Sequence, residues 1–147
     1  MALWSTVTLC EDADLLDHEE NILSWMQSRG GGSKWRDKAK DVIANRLRHA
    51  YRHYTKTYDF DAADVLDLID DTTPLKDLAC YLTIHLFCES ATTGDDLFSR
   101  KAILYSEKYL AEWEIALGLL SLDLDEDGTI ASSEMYNTPD TKLTRGA

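Results

Sequence analysis

The sequence predicts an all-α fold, a compact bundle of four to five helices with an extended C-terminal arm. Three observations lead there. Apolar residues recur every three or four positions over 34–56 and again over 96–120. No segment sustains the period-two alternation of a half-buried strand. Proline occurs only at Pro74 and Pro139, so little interrupts a helix.

Thr8 and Glu11 have the spacing of a capping box, which places a short helical turn near 9–16. Asp17 and Glu20 repeat the spacing, so a helix is expected over 18–29 with Ile22, Trp25 and Met26 on one face. Gly30, Gly31 and Gly32 end it, and Ser33 is placed to cap the next helix. That helix, roughly 34–56, carries the stripe Trp35, Ala39, Val42, Ile43, Leu47, Ala50, Tyr51 and Tyr54. Its other face is basic: Lys34, Arg36, Lys38, Lys40, Arg46, Arg48, Arg52 and Lys56 stand against only Asp37 and Asp41.

An acidic stretch follows, with Asp59, Asp61, Asp64, Asp67, Asp70 and Asp71 around Val65, Leu66, Leu68 and Ile69, enough for a helix of two turns. Thr73 with Pro74 marks a new helix start. The run from Leu75 to Cys88 is apolar on nearly every side, so it is the expected central, buried helix. After Gly94, Asp95 or Asp96 caps a long helix to about residue 120, with the stripe Phe98, Ala102, Tyr105, Tyr109, Trp113, Ala116, Leu117 and Leu120. One helical domain over 1–134 and an arm over 135–147 are expected.

The chain has 147 residues, of which 44% are hydrophobic and 29% charged, and a formal charge of −12. That composition belongs to a globular domain long enough to bury a sizeable core, not to a disordered tail. No apolar run approaches the ~20 residues of a membrane span. The N-terminal stretch lacks the basic region of a secretory signal, so a chain made in the cytoplasm is expected. Cys10, Cys80 and Cys88 are odd in number and lack zinc-site spacing, which reads as reduced thiols. The acidic balance argues against a nucleic-acid grip by the whole domain.

Residues 123–134, DLDEDGTIASSE, satisfy the calcium-loop pattern. Asp123, Asp125 and Asp127 supply acids, Gly128 permits the sharp turn, Thr129 offers a backbone carbonyl, and Glu134 closes the shell. Pro139 restricts the exit helix to little more than one turn, so a second reading stands beside it: an acidic turn that caps the long helix. The rest of the chain requires no cofactor, and calcium is the ion this loop would take.

His49 and His53 lie four apart on a helix, but Ala50 stands where a zinc protease needs glutamate, so they read as surface histidines. His85 and Cys88 share the apolar helix, where a cysteine is ordinarily a small buried hydrophobe. Tyr51 and Tyr54 fall on the apolar stripe and should point inward, not at bases. The basic helix is better used to pair with the acidic 59–71 stretch or with an acidic neighbouring subunit. No nucleophile elbow, phosphate loop or catalytic triad is identifiable, so no enzyme activity is expected.

The order of segments resembles a known family. VTLCEDADLLDHEENILSWM leads to WRDKAKDVIANRLRHAY, then LKDLACYLTIHLFCESA, then DLFSRKAILYSEKYLAEWEIALGLLSLDLDEDGTI. Over roughly 6–134 this is similar to the small helical head–tail adaptor (connector, or head-completion) proteins of tailed bacteriophages, and DLFSRKAILYSEKY running into DLDEDG is the most specific part. The resemblance implies a virion protein assembled in the host cytoplasm as a homo-oligomeric ring of about twelve copies. The ring would sit at the head–tail neck between the portal protein and the next neck or tail-completion protein. Genomic DNA would pass through its channel without sequence-specific binding. The candidate interface residues are Arg46, Arg48 and Arg52 on the basic side, Asp64 and Asp67 on the acidic side, and Tyr136 and Leu143 in the arm that would reach the portal. The alternative is a calcium-binding regulatory or interaction module built on 123–134.

Overall fold

Helix α5 (Lys76–Ser90) has almost no polar side, and the fold is organised around it. Leu78, Cys80, Ile84, Phe87 and Cys88 on it are fully enclosed. Even its buried Thr83 is satisfied locally, donating to the Ala79 carbonyl at 2.7 Å. The structure, a computed structural model, describes residues 3–57, 64–92 and 96–123. It is all-α: besides α5 there are α1 (Asp12–Leu16), α2 (Ile22–Gln27), α3 (Ser33–Ala50), α4 (Arg52–Thr57) and α6 (Asp96–Leu119), with single 3-10 turns at Trp4–Thr6, Val65–Leu68 and Thr73–Leu75. Helices α3 and α6 both pack on α5, and α1 closes one end against it.

The long helices follow their stripes. On α6, Ala102, Tyr105, Tyr109, Trp113, Ala116 and Leu117 are buried, as is Leu120 just beyond it. Phe98 is half-buried edge-on to Trp25 and Phe87. On α3, Trp35, Ala39, Ile43, Leu47 and Ala50 are buried as expected. Val42 is not: it stands 39% exposed, and Ala44 is buried in its place, so the stripe is turned toward α5 by a fraction of a helical turn.

Four element boundaries differ from the sequence expectation. The first cap is Glu11, not Thr8: the Glu11 N–H donates to the Asp14 carboxylate at 2.8 Å and helix α1 starts at Asp12. The expected helix over 18–29 shrinks to the six residues of α2. Its first turn is lost because Lys101 holds the Glu19 carboxylate at 2.6 Å, and the Tyr105 hydroxyl lies 3.0 Å from that carboxylate and 3.2 Å from the His18 carbonyl. Those contacts fix 18–19 in a turn. Gly32, not Ser33, is the N-cap of α3. Finally, α3 breaks at Tyr51, whose ring is fully buried, before α4 resumes.

Gly30 and Gly31 have φ of +99° and +91°, conformations that a side chain strains, and the Gly31 N–H returns to the Met26 carbonyl at 2.8 Å. The described part of the acidic stretch, 64–71, holds a 3-10 turn at Val65–Leu68. Its end is tied to the end of α6 by an isolated antiparallel bridge, Ile69 to Leu122. Asp59, Asp61, Gly94 and Asp95 lie outside the described residues, as does everything after Asp123.

Candidate interface

The basic face of α3 meets its acids within the same chain. Arg48 donates to the Asp64 carboxylate through Nε at 3.0 Å and Nη2 at 2.7 Å. The same carboxylate accepts the Leu66 N–H at 3.2 Å and so caps the 3-10 turn at Val65–Leu68. Burial works against the Asp64 charge, but Arg48 and the Leu66 N–H outweigh it and hold the carboxyl below its ordinary range. Asp67 accepts the Trp4 N–H at 2.8 Å, anchoring the N-terminal segment. Lys40 donates to the Val7 carbonyl and stands over the Trp4 ring, while Arg36 faces Asp12 at 3.5 Å.

Arg46 is used differently. Its guanidinium stacks on Trp113 at 4.3 Å from the ring centroid and donates to the Tyr109 hydroxyl at 3.1 Å. It has no carboxylate partner among the described residues. Beside it, Asn45, His49, Ala50 and Trp113 complete a groove of about 260 Å³ between α3 and α6. Arg52 approaches the His49 ring to 2.6 Å, which adds positive charge at the same end. The sequence marks Arg46 and Arg52 as basic surface. It does not reveal that two aromatic residues of α6, read there only as core, form the wall on which Arg46 lies.

The other candidates resolve as follows. Tyr51 and Tyr54 are buried, so neither presents a ring for stacking on bases. His49 and His53 belong to no group of three or more potential metal ligands among the described residues. His85 lies 2.7 Å from the Ala102 carbonyl and pairs with Glu89 at 2.9 Å. All three cysteines are free and buried; burial pushes the Cys88 thiol up to about 11, with Glu19 adding to it. Cys10 moves the other way, its thiolate favoured first by a hydrogen bond with Cys80, against its own burial.

Of the calcium-loop set, only Asp123 is described. It is buried, and its N–H donates to the Leu68 carbonyl at 2.7 Å, one step beyond the Ile69–Leu122 bridge. The start of 123–134 is therefore held against the turn that Asp64 caps. Asp125, Asp127, Thr129, Glu134, Tyr136 and Leu143 lie outside the described residues. No helix among the described residues is long and apolar enough to cross a membrane. The chain matches no family model, no curated protein and no solved structure.

Among the described residues, most of the large apolar side chains that stand exposed lie on α6: Leu97, Ile103, Leu104, Leu110, Ile115 and Leu119. Scattered single exposures are ordinary; here Leu97, Leu104, Ile115 and Leu119 fall on the side of α6 away from Trp113, and Ile103 and Leu110 fall on another.

Proposed function

We propose that this chain is a structural assembly protein, the head–tail adaptor of a tailed bacteriophage. It forms an oligomeric ring beneath the portal, extends the DNA channel and joins the capsid to the neck or tail. The observation that carries this reading is the ordered run DLFSRKAILYSEKY to DLDEDG, a long helix followed in sequence by an acidic segment, set behind an apolar central helix. The exposed apolar face of α6 supports it, because a subunit that works only in an assembly needs surface to bury. The net charge of −12 suits a channel wall that repels DNA phosphates and lets the genome slide. Ring, portal, neck location and absence of catalysis belong to this proposal. Particles made without the chain test it: filled or leaking heads and free, unjoined tails are expected, whereas intact infectious particles would remove it.

A second reading rests on the 123–134 loop. There the chain is a calcium-binding module, and the cation clips the end of α6 to the following segment through Asp123, Asp125, Asp127, Thr129 and Glu134. Calcium titration of the full chain decides: saturable, chelator-reversible binding supports the clip, and no binding at millimolar calcium eliminates it.

A further inference from the structure

Two half-buried charges on opposite flanks of the molecule lack partners of opposite sign. On one flank is Arg46, in the groove with Asn45, His49, Ala50 and Trp113, where no carboxylate among the described residues reaches it. On the other is Glu112 of α6. No cation among the described residues pairs with it, and its charged neighbour is Asp77 of α5, which raises its pKa after burial does. Among the described residues, Asp77 has His18 at 3.5 Å and also feels the charge of neighbouring Lys76. One flank therefore offers an unspent cation and the other an unspent anion.

Apolar shape follows the same division. At 3.6 residues per turn, Leu104 and Ile115 fall on the side of α6 opposite Trp113, and Leu119 extends the row one turn beyond Ile115. These three are 43%, 56% and 58% exposed, and Glu112 lies one turn before Ile115 beside them. They form an apolar row that Lys108 interrupts between Leu104 and Ile115, with Glu112 at its border one turn beyond Lys108. On the other side lies the groove, a cavity of about 260 Å³ with a Trp wall and a cationic rim. An apolar cavity of roughly 150 Å³ already holds a benzene-sized body, so the groove has room for a branched aliphatic side chain.

We propose that copies of this chain associate head to tail, the α6 ridge Leu104–Ile115–Leu119 of one copy seating in the α3/α6 groove of the next, with Glu112 brought to Arg46. The inference rests on the assembly reading above and names its subunit contact. A second copy fits better than an unrelated partner because one chain carries both an exposed apolar row with Glu112 beside it and a groove with Arg46 at its rim. Lying on opposite sides of α6, the halves can be engaged together, which gives a heterologous contact that closes into a ring when the rotation allows. At ~0.15 M salt the Debye length is about 8 Å, so the repulsion of two −12 chains is screened while a paired Glu112 and Arg46 still attract.

The test uses the full chain at that salt, with size-exclusion chromatography and light scattering for mass and circular dichroism for fold. Ile115→Lys spoils the ridge and Asn45→Trp plugs the groove, both at exposed helical positions. The expected result is that wild type forms a closed oligomer and each variant associates about tenfold more weakly or worse. Mixing the two variants should then give a 1:1 heterodimer and nothing larger, because one sound ridge meets one sound groove. Several results would overturn the proposal. They are a monomeric wild type, variants that assemble like wild type, or loss of assembly in Ile115→Lys alone, which means an α6-to-α6 pair or another occupant. Each of these leaves the adaptor reading standing, since that reading falls only on the particle experiments.

Discussion

Replacing Asp64 by alanine isolates the joint between the basic helix and the acidic stretch. The carboxylate does two jobs: it receives Arg48 at 2.7 and 3.0 Å and it caps the Val65–Leu68 turn through the Leu66 N–H. Losing a capping carboxylate costs about 1 kcal/mol. The ion pair, whose arginine side chain is 45% exposed, adds no more than about 1 kcal/mol once solvent screening is allowed for. Asp64→Ala should therefore cost about 1–2 kcal/mol and lower Tm by roughly 3–8 °C in a chain of this size. Urea unfolding followed by circular dichroism gives the free energy, and a double-mutant cycle with Arg48→Ala isolates the pair. Both partners lie in one chain, so the coupling should be equal at protein concentrations below and above self-association. Wild-type stability in Asp64→Ala would refute the capping role. A coupling that emerges only where copies associate would show that Arg48 and Asp64 meet between subunits.

Three further outcomes follow from the packing. Trp113→Ala should destabilise by about 3–5 kcal/mol, because it removes a buried indole and the surface on which Arg46 lies; the same urea assay reads it, and a loss below about 1 kcal/mol would contradict that packing. Acid should weaken the fold through Asp14, Asp64 and Asp71. The Glu11 N–H and then Lys76 hold Asp14 below its ordinary range, and the Thr73 hydroxyl and N–H do so for Asp71. Folded values below unfolded ones mean that their stabilisation is complete above about pH 4 and lost as pH falls further; urea midpoints measured from pH 6 to 2 should fall in that window, and less steeply for Asp64→Asn. Cys88, enclosed and pushed up to about 11, should resist a thiol reagent at pH 8 until the fold opens, so labelling should rise with urea alongside unfolding; prompt labelling of the native chain would count against its burial.

The parts legible in the sequence are those in which one helix face decides everything. The α6 stripe from Ala102 to Leu120 and the enclosed α5 need no knowledge of partners, since an apolar period of 3.6 is itself the statement of which side is buried. What escaped depends on residues far apart in the chain. The turn at 18–19 is held by Lys101 and Tyr105, more than eighty positions away, and no local propensity marks it. Tyr51 ends α3 without glycine or proline, at a position where its ring is fully buried. Val42 looked like core because it is apolar and at a plausible spacing, yet the helix turns it outward and buries the smaller Ala44.

The candidate interface shows the same division. Charge bias in α3 and in 59–71 is plain in the sequence, and Arg48 with Asp64 realises one of the two pairings it allows. Periodicity also gives Trp113 and Tyr109 as core, but that they carry Arg46 depends on the approach of α3 and α6 over α5. The α6 ridge escaped for another reason: apolar residues off the main stripe look like noise until the helix has been placed and its far side found uncovered. The calcium-loop motif is legible at every pattern position, and of that set the described residues contain Asp123 alone.

The most direct measurement is electron microscopy of particles from the source with a density label fused to the C-terminus of this chain. A ring of label at the neck, between portal and tail, is the expected result, and it would fix the copy number at the same time. Particles with label elsewhere, or with none, would contradict the adaptor function.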